Sequence, residues 1–539
     1  MTFLKRFFGR KDISSLCMFV AILLKFALYL HFFQLEGDKL FQSLGAKNLA
    51  EGNGLTFQRV SPSDLSTIIF EPVNRWPPAY SLIIATLFAS TRNLLFSCIM
   101  IDFISILLFF ILLRKILKLL EFPVFVISIL LLLNGAAFGM YISRPTDLLA
   151  NVALLFSCYV ALKFFCNTRI SSGYGFNIGF VNVLPLFLRY MYLSTVFLIP
   201  ALLIGAGFAK KEERLKTGGW YCLITTFLLS TAILLFQKYY TGTSSYVFLS
   251  GKEFYPENLL KLYPSALNAF IDINFIQLQI NLLTGIQYTT LFDLAKALNG
   301  VLLIFLFFRF VFYAFKKHNA ALNKWNFFVI VTGVTNIVII LMLCYLSVTN
   351  DPHSALYTSG LQWTFVEDER FYIFLFTTLP VIAAYYAFNI RWTRLRSLQK
   401  SIEYLFIALI FLQVCHAFYF IGKRFDPLAL KGDNVLITPA VKNYLLQKID
   451  ESKKRGDDVV MTGNDETVSN WAVLNGQKGI LNIRELNNKA LKAKRPTVLL
   501  MLIEKDMLKI YMGLLIQKNI HFETQTDRLY IYSTRIVPD

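Results

Sequence analysis

The sequence lacks most of the features that mark soluble catalytic or nucleotide-binding domains. It has no Gly-rich phosphate loop, and Thr462-Gly463-Asn464 is a turn signal only. It has five histidines and no His-rich set. Its seven cysteines (Cys17, Cys98, Cys158, Cys166, Cys222, Cys344, Cys415) all lie in or beside apolar runs, with no metal-ligand spacing. That pattern argues for neither a disulfide framework nor a cysteine metal site. Internal repeats, low-complexity tracts and extended linkers are also absent. The basic start leads into an apolar run without a small-residue cleavage site, which reads as an uncleaved first helix rather than a signal peptide.

What is present is apolar. Of 539 residues, 56% are hydrophobic and 16% aromatic, and the mean hydropathy is +0.54. A soluble chain of this size could not bury that much apolar surface, so the composition indicates a polytopic membrane protein. The net charge of +19 does not indicate a nucleic-acid partner. The Lys and Arg residues sit in short segments between apolar runs, where they set orientation.

The charge alternation gives a topology. Lys5, Arg6, Arg10 and Lys11 precede a first span at 14–34, which places the N-terminus in the cytoplasm. The apolar stretch 79–113 contains Ser90-Thr91-Arg92-Asn93, so its first part reads as a re-entrant or interfacial helix and the second span as 95–113. Further spans are expected at 122–141, 148–165, 176–189, 192–209, 219–237, 298–315, 326–348, 371–389 and 402–421. That makes about eleven transmembrane helices in a domain covering 1–424. Two longer outer loops result, 35–78 and 238–297. From 425 to 539 the composition becomes that of a small extracytoplasmic α/β domain. There Val459–Met461 and Thr497–Ile503 read as buried strands. Segments 437–455 and 504–518 have helical periodicity, and Leu529–Tyr532 alternates as a strand. No catalytic set is evident in this domain, which reads as a packing or acceptor-docking module.

The candidate chemistry lies on the outer face. Glu36 and Asp38 stand at the boundary where the first span ends. Two neighbouring carboxylates can share a proton or a cation, or one can act as general base while the other tunes it. They can also simply end a helix in water. Arg75, Arg144, Arg189 and Arg370 are cations expected on the same face. A single arginine at a span end often only snorkels, but a guanidinium also matches a pair of phosphate oxygens.

These residues resemble the GT-C class of integral-membrane glycosyltransferases. The nearest branch is the bacterial group related to protein O-mannosyltransferases and lipid A aminoarabinose transferase. Glu36-x-Asp38 falls where the class carries its paired acids, and Arg75-Trp76-Pro77-Pro78-Ala79-Tyr80 resembles the segment that closes that loop. Asp147 fits the second acidic position, and Leu188-Arg189-Tyr190 resembles a mid-chain Arg-Tyr. Glu369-Arg370-Phe371 with Leu379-Pro380 resembles the Arg-Tyr…Pro segment of a late span, with Phe371 in place of the usual Tyr. Arg144-Pro145 before the second acid is atypical of the class.

The resemblance implies a GT-C-like fold over residues 1–390. It also implies transfer of a sugar from a polyprenyl-phosphate donor, such as an undecaprenyl phosphate sugar, to a hydroxyl of a lipid, glycan or protein acceptor. The setting would be the outer face of a bacterial inner membrane. Asp38 would be the base, with Glu36 and Asp147 as further catalytic acids. Arg370, Arg189, Arg75 and Arg144 would hold the donor phosphate, supported by Tyr80, Tyr190 and Glu369. A divalent cation, Mg or Mn, held by Glu36, Asp38 or Asp147, is left open. Two other classes fit the composition. A lipid-linked polysaccharide polymerase or ligase would not need the paired acids. A lipid transporter or flippase would place charges deep within spans. Most charges lie at span ends instead, Asp102 being an exception expected to find a partner within the bundle.

Overall fold

The computed structural model describes residues 11–242 except 32, 34–36, 62, 75 and 137–144; residues 253–256, 284, 285 and 294; residues 323–349 and 373–385; single positions between 400 and 418; and residues 437–538 except 465, 481, 487–489 and 527. In chain order the elements are α1 (Lys11–His31), α2 (Gly37–Ala50), β1 (Thr56–Ser61), β2 (Asp64–Pro72), α3 (Ala79–Thr91), α4 (Leu94–Leu119), α5 (Val124–Ala136), α6 (Pro145–Cys166), α7 (Tyr174–Leu188), a 3-10 helix (Tyr190–Ser194), α8 (Leu198–Lys210) and α9 (Glu213–Thr241). They continue with α10 (Lys324–Val348), α11 (Ile373–Ala384), α12 (Pro439–Lys454), β3 (Asp458–Gly463), α13 (Glu466–Leu474), β4 (Lys478–Gly479), β5 (Thr497–Glu504), α14 (Leu508–Gln517), β6 (His521–Gln525) and β7 (Leu529–Ile536).

The chain forms two compact units. One comprises Met1–Phe32 and Asp102–Phe425; the other comprises Phe33–Ile101 and Asp426–Asp539.

The first unit is helical. Among the described residues six segments are long and apolar enough to cross a membrane: Asp12–Leu30, Leu94–Leu119, Asp147–Cys166, Tyr190–Lys210, Glu213–Thr241 and Lys324–Leu346. The chain is an integral membrane protein. Helices α5, α7 and α11 are apolar but shorter; α7 matches the expected span at 176–189 to within two residues, and parts of the expected spans at 122–141 and 371–389 lie outside the described residues. The expected spans at 298–315 and 402–421 and most of the loop 238–297 lie outside the described residues. Helices pack closely where side chains are small. A Cβ on Gly135 of α5 would come within 2.7 Å of the Ala21 backbone in α1. Gly175 of α7 likewise faces the backbone of Gly218 in α9, the small-residue contact that membrane helices use. Asp102 accepts a hydrogen bond from the Tyr29 hydroxyl, and both residues are buried. The intramembrane acid therefore has a partner in the bundle.

The second unit carries two sheets. Strands β1 and β2 form an antiparallel hairpin; the other sheet has the order β4-β3-β5-β7-β6. Strand β3 pairs in parallel with β4 and β5, and β7 runs antiparallel to β5 and β6. Every β5 residue from Thr497 to Ile503 is buried, because the strand is central and covered on both faces. Val460, Leu499, Met501, Ile503 and Tyr532 face one core, shared with Tyr511, Leu514 and Leu515 of α14 and with Val60 and Leu65 of the hairpin. Val459, Met461, Val498, Leu500 and Leu502 face the other, shared with Val441, Leu445 and Ile449 of α12 and Trp471 of α13. The strands expected at Val459–Met461, Thr497–Ile503 and Leu529–Tyr532 are all present, as are helices within 437–455 and 504–518.

The outer loop expected at 35–78 contains α2 and the hairpin. The hairpin is fastened to the C-terminal sheet within the same unit. Arg59 pairs with Glu485 at 3.1 Å and with Glu71. The Leu65 amide donates to the Lys492 carbonyl at 2.9 Å. The Ser66 hydroxyl accepts from the amides of Lys494 and Arg495.

The stretch after the hairpin divides as its sequence suggested. Helix α3 has 13 residues, about 20 Å of rise and too short to span a bilayer. It ends at Arg92, whose φ of 53° is left-handed and whose N–H donates to the Phe88 carbonyl. Asn93 then starts α4 by accepting from the Phe96 amide at 3.0 Å.

Candidate functional site

Candidate residues occur in both units. In the second, Asp38 lies half-buried on the first turn of α2. A carboxylate there is favoured by the positive end of the helix. Its backbone carbonyl accepts from Gln42 Nε2 at 3.3 Å. The next residue, Lys39, is buried with its ammonium 3.8 Å from the centroid of Phe33. Helix α2 is held from above by the segment expected to close the loop. Phe41 stacks on Trp76 at 5.5 Å and meets Phe57 edge-on at 5.7 Å. The Ser81 hydroxyl donates to the Gln42 carbonyl at 2.9 Å. Tyr80, fully buried on α3, belongs to the same packing. The Trp76-Pro77-Pro78-Ala79-Tyr80 segment thus braces the helix that presents Asp38. Glu36 and Arg75 lie outside the described residues.

In the first unit, Asp147 and Arg189 form an ion pair at 2.5 Å, with side-chain exposures of 3% and 9%. Asp147 is in the first turn of α6, which begins at Pro145, a residue suited to a helix start. Arg189 follows α7, whose last turn contains Pro185. The arginine adopts extended backbone (φ −149°, ψ 122°) and the 3-10 helix Tyr190–Ser194 follows. This break turns the guanidinium toward Asp147. The second carboxylate oxygen of Asp147 and the hydroxyl of Tyr190 are buried without a hydrogen-bond partner among the described residues. Arg144, Glu369 and Arg370 lie outside the described residues.

Sequence reasoning missed the polar residues one turn deeper. Asn151, buried four residues after Asp147 on α6, donates to the Thr377 hydroxyl of α11 at 3.4 Å. Asn336 of α10 donates to Thr378 at 3.0 Å. The signal available was the i, i+4 spacing of Asp147 and Asn151, which puts both on one helix face. For a cation, Asp38 and Asp147 offer the oxygen ligands that Mg and Mn prefer. Among the described residues no three His, Cys, Asp or Glu side chains gather in one place.

Comparison with solved structures finds ArnT from Cupriavidus metallidurans bound to undecaprenyl phosphate, 13% identical with a TM-score of 0.44. The alignment covers 96% of this chain and 97% of that one. ArnT from the same organism in the apo state aligns over the same shares at 11% identity and the same TM-score. No family model matches the chain, and no curated protein matches it.

Proposed function

We propose that this protein is a membrane glycosyltransferase that moves a sugar from a polyprenyl-phosphate donor to an acceptor hydroxyl on the extracytoplasmic face, with inversion. The observation that carries the reading is the placement of the motif residues. Asp38 stands on a braced helix start directly after the first span. Asp147 and Arg189 stand at the start of one membrane helix and the end of another.

In the proposed step Asp38 takes the proton of the acceptor hydroxyl. The acceptor oxygen attacks the anomeric carbon, and the bond from that carbon to the phosphate oxygen breaks. The bonding electrons leave on the phosphate, and the polyprenyl phosphate departs. Arg370 and Arg189, with Arg75 and Arg144, hold that phosphate and stabilise the charge it gains. Asp147 occupies one nitrogen of the Arg189 fork. The ion pair fixes the orientation of the fork. Glu36 orients Asp38. A divalent cation bound at Glu36, Asp38 or Asp147 would add charge neutralisation at the phosphate.

The reading is tested by reconstituting the full chain in lipid vesicles with a radiolabelled polyprenyl-phosphate sugar and acceptor extracts from a bacterial envelope. Transfer of label to an acceptor with release of polyprenyl phosphate is expected. Movement of intact donor between leaflets without cleavage would identify a flippase instead. Growth of a lipid-linked glycan chain would identify a polymerase.

A further inference from the structure

Helix α14 carries a surface that the packing of the second unit does not explain. Helix α14 buries Tyr511, Leu514 and Leu515 against the sheet and leaves Ile510, Met512 and Ile516 exposed at 55%, 43% and 72%. At 3.6 residues per turn, Ile516 lies near the middle of the outward face, with Ile510 and Met512 on its flanks. A surface helix of a water-facing domain normally carries polar residues there. The charges around this face are mostly of one sign. Lys505, Lys509 and Lys518 surround it against Asp506. The acid of the following strand, Glu523, is engaged by Lys448 and Tyr444 of α12, on the opposite face of the sheet.

A second feature shares the α14 side of the sheet. Phe522 on β6 is 54% exposed and pairs across the ladder with Tyr532, which lies in the core under α14. Its ring meets those of Tyr530 and Tyr532 at 6.1 and 5.6 Å. The Lys505 ammonium stands 5.6 Å from the centroid of Tyr530. Exposed aliphatic residues, an aromatic group and lysines are the composition of a helix lying in a headgroup layer. The unit is also tied to a bilayer by its own chain, because residues 94–101 belong to it and continue as the membrane helix α4.

We propose that α14 is an interfacial helix of the second unit, docked flat on an anionic phospholipid surface. Ile510, Met512 and Ile516 enter the boundary between headgroups and acyl chains. Lys505, Lys509 and Lys518 contact lipid phosphates, and Phe522 lies at headgroup level. Basic residues near an anionic leaflet each add to such binding. The contact would steady the C-terminal sheet and, through Arg59–Glu485 and the Ser66 hydrogen bonds, the hairpin that follows α2.

The test uses the full chain in lipid nanodiscs. The seven native cysteines are replaced, and an environment-sensitive dye is attached at Ile516→Cys. The control site is Leu446→Cys on α12, 39% exposed on the opposite side of the sheet. In discs of phosphatidylcholine with phosphatidylglycerol, the dye at 516 is expected to lose about half its emission to a shallow doxyl-labelled lipid and little to aqueous iodide, as interfacial burial requires. The dye at 446 should show the reverse. Lys509→Glu with Lys518→Glu, or discs of phosphatidylcholine alone, should lower the lipid quenching at 516. Quenching at 516 by iodide and not by doxyl lipid overturns the proposal. So does protection from both quenchers, which would mean that protein covers the face.

Discussion

Asp147 and Arg189 meet at 2.5 Å with almost no exposure of either side chain. Two charges in that position are costly to remove from water and depend on one another. Removing Arg189 leaves Asp147 buried without its ion-pair partner, a loss of roughly 3–5 kcal/mol. Asp147→Asn and Arg189→Gln should each lower thermal stability in detergent. Asp147→Asn combined with Arg189→Gln should lose clearly less than the sum of the two single changes. A double-mutant cycle on unfolding temperature measures this, and strict additivity would mean that the two side chains do not interact.

The donor contact proposed for Arg370 has its own test. A charge-assisted contact to phosphate is worth roughly 1.5–3 kcal/mol. Arg370→Ala should therefore weaken donor use about ten- to a hundredfold, seen as a raised KM for the donor. Lys at this position should restore only part, since it lacks the planar fork. Unchanged donor saturation would remove Arg370 from the site.

The pairing of Asp457 with Arg535 sets an acid limit on the C-terminal sheet. Arg535 donates to both carboxylate oxygens, at 3.0 and 2.9 Å. Its hydrogen bonds hold the Asp457 carboxyl below the usual carboxylate range, with desolvation opposing and Arg455 adding a smaller attraction. A carboxylate depressed in the folded state contributes stability above its unfolded pKa, near 4, and that stability is lost as pH falls through the lower folded value. Asp457→Asn should thus destabilise the protein at pH 7 and flatten the acid limb of its stability curve. Thermal unfolding between pH 3 and pH 7 tests this; an unchanged acid limb would assign the sensitivity to other groups.

The sequence pattern revealed the elements whose signal is local. The apolar runs located α1, α4, α6, α9 and α10, and Arg92-Asn93 marked the break between α3 and α4. Strands β3, β5 and β7 were legible because their apolar residues are continuous or alternate. The hairpin was not. Its residues 56–72 form a sheet of only two strands, and its core partners Ile480, Ile483 and Leu499 lie some four hundred residues later. No local periodicity reports such a contact. Of the site, the acids and arginines stood out by type and position. The Asp147–Arg189 contact depends on the turn after Pro185, and Asn151 reads locally as one more polar residue in a span.

The cation alternation predicts the side of the membrane on which the C-terminal domain lies, which can be checked directly. Asn464 is a poor probe position, because its amide bonds both Glu504 Oε1 and the Glu504 amide. Glu451 on α12 is exposed. In a cysteine-depleted chain, Glu451→Cys should react with an impermeant maleimide in intact cells. Labelling only after lysis would place the C-terminal domain inside and remove the extracytoplasmic setting.

Asp38 is the residue the proposed reaction can least spare. It stands in the first turn of α2, a few residues along the chain from the first span. General-base contributions are about 10²–10⁴-fold, so Asp38→Asn should lower kcat by that factor with little change in donor KM. The fold should persist, because Asn has nearly the same shape and also suits a helix start. Glu36→Gln should do less if Glu36 orients Asp38, and about as much if the two acids share a cation. Repeating both with and without chelator separates these roles. The competing view is that Asp38 only complements the positive end of α2. Under it, Asp38→Asn would lose a few tenths of a kcal/mol of stability and keep near-normal transfer, and that result would end the catalytic assignment.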